Sequence, residues 1–371
     1  MRLDADFPGG NIVVERVEAD TVLLRQDPRD TEGHWFHWAF RVRGAAGTSV
    51  RFVFTDGDVI GARGPAVSVD DGASYRYLGL DRVDGASFSY DFGEGEDAVR
   101  FAMAIPYQRS DLDAFLARED AKRALRTEPI CRSRGGREVP VSVCGVDFAP
   151  HKLLLTSRHH ACESLATHAL EGLLRAAVAD DTLGHWFRER VQILAVPFMD
   201  IDGVEDGDQG KNRRPHDHNR DYGEGLYASV RALKALVPAW SAASRTVALD
   251  LHCPYLKGGD TNEEVYFVGS ADAANWRLAQ DFCETLEEVQ RGPIRYSQSS
   301  NVPYGTAWNV GDSGIADSCS SWMAAQRTIA FATSVEIPYA NAGGVEVSAR
   351  TARALGRDLA RAFRVHVLSQ S

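Results

Sequence analysis

The stretch of sequence that decides the fold is Leu153-Leu-Leu-Thr-Ser-Arg-His-His-Ala-Cys-Glu163. Its first four residues are β-compatible and predict a strand, and the apolar periodicity that follows predicts a helix over residues 164–178. The strand therefore carries His160 and Glu163 to its C-terminal end, at the mouth of the helix. In an open α/β sheet this edge is where binding sites form.

The segments around this stretch alternate between predicted strands and predicted helices. The predicted strands cover residues 139–145, 152–156, 191–197, 246–252, 264–268 and 328–336. The predicted helices cover residues 164–178, 227–236, 271–289 and 347–368. Strands that are apolar on both faces and alternate with helices indicate an α/β domain, with a mixed, mostly parallel sheet flanked by helices.

The first hundred residues show a different pattern. Short alternating segments are separated by turn signals such as Asp56-Gly57, and Phe36, Trp38, Phe40 and Val42 share one face of a predicted strand. This pattern predicts an antiparallel β-sandwich, with its aromatic residues in the core. A helix is predicted to begin near residue 110, and the polar, basic segment 123–137 is interpreted as a linker. We therefore expect a sandwich domain over residues 1–122 and an α/β domain over residues 123–371.

Composition limits the classes of partner. The 371-residue chain has a formal net charge of −11, which argues against a nucleic-acid partner and against an anionic membrane surface. The first ten residues lack the apolar core of a signal peptide, and no apolar run is long enough to span a bilayer. The six cysteines have no paired spacing. These features predict a cytoplasmic protein with reduced thiols.

Further strand ends supply the remaining parts of a metal site. A catalytic zinc needs three protein ligands, and the strand over residues 246–252 ends in His252, with Asp250 on the same side of that strand. The last buried strand ends at Glu336, where a lone carboxylate is costly unless it has a role or a partner. The loop 200–221 concentrates cations in an otherwise acidic chain, as recognition of a carboxylate requires.

Five motifs in this order resemble those of the zinc carboxypeptidases. They are His160-x-x-Glu163, Asp202-Gly-Val204, Asn219-Arg-Asp221, Asp250-Leu-His252 and Ser334-Val-Glu-Ile-Pro338. The resemblance extends from about residue 139 to the C-terminus. A β-sandwich before such a domain resembles the cytosolic carboxypeptidases in particular.

The resemblance implies a role for each matching residue. His160, Glu163 and His252 would bind one Zn²⁺ per chain, a His₂Glu set of the kind found in carboxypeptidase A. Glu336 would take a proton from the zinc-bound water and pass it to the leaving amine. The reaction implied is the removal of the C-terminal amino acid from a peptide or protein.

The same resemblance implies residues that hold the substrate. Arg213 is similar to the arginine that polarises the scissile carbonyl, and Arg214 is its rival for that role. Asn219 and Arg220 would hold the terminal carboxylate of the substrate. Lys211, Arg214 or Lys257 could serve a pocket for an acidic C-terminal side chain.

The chain also departs from the family pattern. Ala161-Cys162 stands where the family usually has Pro-Gly, and Cys253-Pro254 follows the third ligand. The window 312–318, where the substrate-capping tyrosine is expected, holds no tyrosine. These departures concern specificity more than chemistry.

Other readings compete with this one. One alternative is a zinc amide hydrolase of N-acyl amino acids, similar to desuccinylases and aspartoacylases, which also use a His-x-x-Glu motif. Another is a binding protein that binds its partner through the sandwich and whose hydrolase domain is inactive. His159 is expected to point away from His160 in the extended chain. His216 and His218 are expected to be solvated loop residues, and Cys162 and Cys253 to be small apolar packing residues near the site.

Overall fold

The structure is a computed structural model that describes residues 1–29, 31–242, 244–259, 261–311 and 315–370. The strands are β1 Arg2–Asp4, β2 Val13–Glu18, β3 Thr21–Arg25, β4 Ala39–Arg43, β5 Ser49–Phe54, β6 Ala66–Ser68, β7 Arg76–Tyr77, β8 Val83–Asp84, β9 Ser87–Asp91, β10 Ala98–Ala102, β11 Leu125–Arg132, β12 Glu138–Gly145, β13 His151–Ser157, β14 Val191–Val196, β15 Arg245–His252, β16 Tyr266–Phe267, β17 Ile329–Glu336, β18 Asn341–Ala342 and β19 Val345–Glu346. The helices are α1 Arg109–Leu116, α2 Glu119–Ala124, α3 Ser164–Val178, α4 Thr182–Arg190, α5 Ile201–Asp206, α6 Ala228–Ser241, α7 Ala273–Val289, α8 Cys319–Ala324 and α9 Ala349–Ser369.

The N-terminal region forms two five-stranded sheets, in the orders β1-β4-β10-β6-β7 and β2-β3-β5-β9-β8. Trp38, Phe40, Phe52 and Phe101 are fully buried, with Phe40 and Phe52 ring centroids 5.3 Å apart. The aromatic residues of the predicted sandwich therefore form its core. The prediction of an antiparallel sandwich needs one correction, because β3 and β5 run parallel.

The segment 123–137 is not the linker that its polarity predicts. It contains the end of α2 and the strand β11, which pairs antiparallel with β12 at the edge of the second sheet. Its charged side chains stay exposed because an edge strand has one neighbour only. The boundary between residues 122 and 123 stays a prediction. Helix α1 begins at Arg109, with Gln108 as its N-cap.

The central sheet has the strand order β11-β12-β14-β13-β15-β17-β16. The neighbouring strands β14, β13, β15 and β17 are parallel, and β11, β12 and β16 join them antiparallel. Strand β15 is buried on both faces, as its apolar run predicts. The register sets Thr156 beside Asp250 and His252 beside Glu336, so the C-terminal ends of β13, β15 and β17 meet at one edge. The predicted fold class is confirmed.

Helices cover the sheet, and two of them touch through glycines. Helix α3 packs on α9 so closely that a Cβ at Gly356 would lie 1.9 Å from the carbonyl oxygen of Ala169, and one at Gly172 would lie 2.2 Å from that of Arg353. Helices α2, α4, α5 and α8 were not predicted from the sequence. Among the described residues no helix has the length and apolarity needed to cross a membrane.

The sandwich and the central sheet share one continuous hydrophobic core. Two hydrogen bonds also join them. Oγ of Ser164 donates to the backbone carbonyl oxygen of Ile105 at 2.7 Å, and the hydroxyl of Tyr77 donates to the backbone carbonyl oxygen of Tyr339 at 2.5 Å. The sandwich therefore lies directly against the segment that carries the predicted ligands.

Candidate metal centre

The predicted ligands meet at the C-terminal edge of the sheet. His160 follows β13, Glu163 caps the start of α3, and His252 is the last residue of β15. Their ligand atoms all lie within 4.8 Å of one another. The three residues are 9%, 0% and 2% exposed, so the group is shielded from bulk water. The structure therefore brings together the three residues that the motifs predicted.

The turn that presents His160 is closed by Arg158. Its backbone adopts a left-handed conformation with φ of 59°, which reverses the chain after β13. Nε of the buried Arg158 guanidinium donates to the carbonyl oxygen of Ala161 at 2.7 Å, and Nη1 donates to that of Tyr107 at 2.8 Å. These bonds fix the segment between His160 and Glu163 against the end of the sandwich domain.

Both imidazoles face Glu163 with the same nitrogen. Nδ1 of His160 lies 2.9 Å from Oε1 of Glu163, and Nδ1 of His252 lies 2.8 Å from its Oε2. The opposite nitrogens have carboxylate partners, with Nε2 of His160 3.3 Å from Asp217 and Nε2 of His252 2.8 Å from Asp250. With a metal bound at Nδ1, the carboxylates beside Nε2 would keep the remaining proton of each imidazole on Nε2.

The charged groups at the centre shift one another's pKa values. Burial would raise the pKa of Glu163, but the Lys211 ammonium and the two imidazoles outweigh it and hold that pKa well below its ordinary value. Burial opposes charge on His252, but Asp250 and Glu163 raise its pKa well above its usual range. Glu163 is therefore an anion at neutral pH, as a carboxylate ligand must be.

Glu336 lies at the end of β17, beside His252 in the strand register. It is 8% exposed, and among the described residues its Oε2 has no hydrogen-bond partner. Burial raises the pKa of this carboxyl above its ordinary value. A buried carboxyl with a free oxygen and a raised pKa is suited to accept and return a proton near neutral pH.

A second group of possible ligands shares His252 and consists of His159, Asp250 and His252. Nδ1 of His159 lies 3.0 Å from Oδ1 of Asp250, its Nε2 lies 2.8 Å from the hydroxyl of Tyr222, and the hydroxyl of Thr156 donates to Asp250. These side chains already partner one another, and His159 and Asp250 are fully buried. The group with His160 fits a metal better, because it lies beside Glu336 and presents both imidazoles through Nδ1.

Lys211 is a cation of the loop that reaches the predicted ligands. Its Nζ lies 2.7 Å from Oε1 of Glu163 and donates to the carbonyl oxygen of Cys253 at 3.1 Å. Burial would lower its pKa, but Glu163 and other neighbouring acidic groups raise it, so the amine stays protonated. The sequence suggested Lys211 only for a side-chain pocket, because position along the loop does not reveal which cation turns inward.

The two arginines proposed to polarise the carbonyl have other partners. Arg213 is largely buried and forms ion pairs with Asp200 and Asp208. Arg214 is exposed and forms an ion pair with Glu32 of the sandwich domain. The role predicted for Arg213 at the scissile carbonyl stays a prediction. Lys257, the other cation suggested for a pocket, pairs with Asp58 at 2.9 Å.

Asn219 is brought to the centre. Its Nδ2 lies 3.3 Å from Nε2 of His252, and its Oδ1 accepts from the backbone N–H of Cys319 at 3.0 Å. The N-terminus of α8 therefore fixes the orientation of this amide. The neighbouring Arg220 is partly exposed and donates from Nη1 to the carbonyl oxygen of Asn219 at 3.0 Å.

Several smaller predictions are also resolved. His218 is buried against Tyr227, with ring centroids 3.5 Å apart, so its expected solvation is wrong. Cys162 and Cys253 are buried, as expected, and burial raises the pKa of the Cys162 thiol to about 11. Part of the window for the capping tyrosine, residues 312–314, lies outside the described residues.

Comparisons with known proteins agree with this geometry. The structure superposes on the metallo-carboxypeptidase of Burkholderia cenocepacia with a TM-score of 0.80 at 19% identity, covering 100% of this chain and 99% of that one. It also superposes on the metallo-carboxypeptidase of Pseudomonas aeruginosa with a TM-score of 0.77 at 22% identity, over the whole of both chains. The fold is that of the metallo-carboxypeptidases.

The sequence shows a more distant likeness to the same group. Cytosolic carboxypeptidase 6 of Caenorhabditis elegans is 25% identical over 185 residues, which cover 45% of this chain and 39% of that relative. An uncharacterized protein of Zymomonas mobilis is 25% identical over 235 residues, 60% of each chain. The chain thus spans less than two thirds of the length of these curated relatives. No protein-family model matches it. The resemblance seen in the motifs is confirmed by the metallo-carboxypeptidase fold and by the cytosolic carboxypeptidases among its relatives.

Proposed function

We propose that this protein is a zinc-dependent carboxypeptidase that removes the C-terminal amino acid of peptides or proteins. The observation that carries the proposal is the group of His160, Glu163 and His252 beside the buried Glu336, whose Oε2 has no partner among the described residues. The metallo-carboxypeptidase fold and the names of the relatives support it.

The donor set supports zinc as the metal. Two imidazole nitrogens and one carboxylate are the ligands of many catalytic zinc sites, which leave one position open. Their mutual distances within 4.8 Å and their burial fit a single ion. When bound, zinc supplies a Lewis acid that polarises oxygen atoms and lowers the pKa of water. Asp217 and Asp250 would keep His160 and His252 in the tautomer that a ligand needs.

Glu336 is the proposed general base. It would take a proton from the attacking water at its free Oε2 and then deliver that proton to the nitrogen of the leaving amino acid. Its raised pKa brings the carboxyl closer to neutral pH, where acceptance and return of a proton are both efficient.

Lys211 is proposed as a cation for the scissile carbonyl, together with Arg213, whose predicted role stays a proposal. Its ammonium lies 2.7 Å from Oε1 of Glu163, and Glu163 and Glu336 are among the acidic groups that raise its pKa. A fixed positive charge there would stabilise the oxyanion that develops on the carbonyl oxygen. Asn219 and Arg220 remain the proposed partners of the substrate carboxylate, since Asn219 borders His252 and Arg220 follows it at the partly exposed rim.

Release of amino acids from a peptide library tests the proposal. The purified protein, loaded with zinc, is incubated with peptides that vary at the last two positions, and shortened peptides and free amino acids are measured by mass spectrometry. We expect one residue to be removed at a time and activity to disappear with a chelator and return with zinc. Peptides with an amidated C-terminus are the control, because they lack the carboxylate. Turnover of N-acyl amino acids without peptide shortening would overturn the proposal in favour of an acyl amino acid hydrolase.

Lys211 variants test the cation. Lys211→Met should lower kcat by about a hundredfold or more, as the loss of an oxyanion-stabilising group does elsewhere. Lys211→Arg keeps the charge and should retain more of the rate. Lys122→Met, which removes an exposed lysine paired with Glu119, is the matched control. An equal rate for the wild-type protein and Lys211→Met would remove Lys211 from the mechanism.

The compartment is a proposal too. The six cysteines are all free thiols, and the characterised relatives bear the name cytosolic, which supports a cytoplasmic enzyme. Fractionation of source cells, with an antibody against the protein, tests it.

A further inference from the structure

The loop before Lys211 is attached to the sandwich domain by one side chain. Gln209 is 2% exposed, and its amide contacts only backbone groups of the sandwich among the partners described for it. Its Oε1 accepts from the N–H of Phe36 at 2.6 Å and of His37 at 3.2 Å, and its Nε2 donates to the carbonyl oxygen of His34 at 3.1 Å. Three bonds to backbone groups of one short segment fix both the position and the plane of an amide.

The same segment supplies a wall beside the ammonium. Phe36 is 1% exposed, and Nζ of Lys211 lies 6.0 Å from the centroid of its ring. The ring is held edge-on by Tyr339, at 5.9 Å, and by Tyr255, at 5.2 Å. Because the ring cannot turn away, it limits the space open to the Lys211 side chain on the sandwich side.

The other side of this loop lies against the metal ligands. The N–H of Cys162 donates to the carbonyl oxygen of Gln209 at 3.1 Å. Gly210 has φ of 82°, and a Cβ on it would lie 2.4 Å from the backbone nitrogen of Ala161. Only glycine fits this approach, so the loop is pressed between the ligand segment and the sandwich domain.

A second anchor lies one residue earlier. Arg29 of the sandwich domain forms an ion pair with Asp208 at 2.7 Å, and Asn11 donates from Nδ2 to the carbonyl oxygen of Gly207 at 2.9 Å. The sandwich therefore contacts each residue from 207 to 209, and one residue, Gly210, separates them from Lys211. Catalytic groups need this kind of support, since a displacement of about 1 Å can cost about a hundredfold in rate.

We propose that the N-terminal sandwich is a working part of the active site, in which the segment His34–His37 positions the Lys211 ammonium through Gln209 and Phe36. The proposal rests on the proposed role of Lys211 at the scissile carbonyl. Gln209 and Phe36 are positioning residues, because they contact Lys211 or its loop and no ligand atom of the metal centre. The contacts that carry the proposal join the two domains, so the catalytic domain by itself would lack them.

Graded variants of the full-length protein test it. Gln209→Glu keeps both acceptor bonds and loses the donor bond to His34, whereas Gln209→Leu loses all three at similar volume. Phe36→Leu removes the ring beside Lys211. Arg63→Ala is the matched control, because Arg63 also joins the two domains, by donating to Asn341 at 2.8 Å, but lies outside this loop.

The first readout needs no substrate. A short pulse of a water-soluble acylating reagent labels accessible amines, and the label on Lys211 is measured by mass spectrometry against the exposed Lys122. We expect labelling of Lys211 to rise severalfold in Gln209→Leu and Phe36→Leu, less in Gln209→Glu and not at all in Arg63→Ala. The second readout is kcat, which should fall about tenfold or more in the same order, with a small change in KM.

The outcomes separate the two proposals. Unchanged labelling and unchanged kcat in a folded Gln209→Leu and in Phe36→Leu would overturn the positioning role. If labelling rises but Lys211→Met is fully active, Gln209 and Phe36 do position Lys211. The catalytic role proposed for Lys211 is then wrong. Should Gln209→Leu not fold, the order of Gln209→Glu, Phe36→Leu and Arg63→Ala decides the question.

Discussion

Oδ2 of Asp217 lies 3.3 Å from Nε2 of His160, on the side of the imidazole opposite to Glu163. Asp217 is itself held by the backbone, since its Oδ1 accepts from the N–H of Asn219 at 2.7 Å. Burial would raise the pKa of Asp217, but His160 and Arg220 outweigh it and lower that pKa. A charged, immobile carboxylate therefore sets the orientation of the first ligand.

Asp217→Asn should weaken zinc binding by about 10- to 100-fold, as the loss of such outer partners does in other zinc proteins. The reason is that an amide no longer fixes the tautomer of His160 by charge. Competition with a coloured chelator measures the affinity. Asp180→Asn, which changes an exposed carboxylate paired with His185, is the control. Equal affinities for the two variants would contradict the prediction.

Glu336→Gln should lower kcat by at least about a hundredfold while zinc content stays at the wild-type level. Glu336 does not belong to the group of ligand atoms, so its amide leaves that group intact but cannot accept a proton. Elemental analysis and peptide hydrolysis are measured on the same sample. Glu346→Gln changes an exposed carboxylate and should leave both values unchanged. A Glu336→Gln enzyme of full activity would require another base.

Arg213 is largely buried and its neighbour Arg214 is exposed, so we expect their replacement to lower the free energy of unfolding by different amounts. Arg213→Met leaves the buried Asp200 and Asp208 without their shared cation, so the free energy of unfolding should fall by about 3–5 kcal/mol. Arg214→Met removes an exposed ion pair and should change it by less than about 1 kcal/mol. Urea unfolding measures both. A stable Arg213→Met protein that has lost its activity would support Arg213 as a group that polarises the carbonyl.

His168 predicts a pH dependence of stability. It is 3% exposed, its Nε2 donates to the carbonyl oxygen of Pro106 at 3.0 Å, and burial lowers its pKa from 6.5 to about 3. Between these two values the unfolded chain binds a proton that the folded protein excludes. The folded state therefore loses about 1.4 kcal/mol for each pH unit below 6.5, and this group has no effect above that pH.

His168→Gln removes the imidazole that binds this proton in the unfolded chain. The difference in unfolding free energy between wild type and variant should be constant above pH 6.5 and should move in favour of the variant as the pH falls from 6.5 toward 3. Urea unfolding at a series of pH values measures it, and the carboxylates common to both proteins cancel in the difference. His185→Gln, at an exposed position, is the matched control. A slope equal to that control would mean that His168 is protonated in the folded protein.

The strand ends could be predicted because they depend on local pattern. The runs before His160, His252 and Glu336 are apolar on both faces, which identifies buried parallel strands. Parallel strands end at the same edge, so the three residues had to approach one another. Strand β11 could not be predicted in this way, since an edge strand exposes most of its side chains and has the polarity of a linker.

The sequence by itself determined the fold class and which strands end at the candidate metal centre. It also indicated the three residues whose ligand atoms meet there. Only the tertiary structure decided which cation joins them. The loop 200–221 offers Lys211, Arg213 and Arg214 within four positions. Their partners, Glu163, the pair Asp200 and Asp208, and Glu32, come from other parts of the fold. Which ion pairs form depends on the distances between the charged groups in the folded protein and on their burial. Local sequence periodicity determines neither.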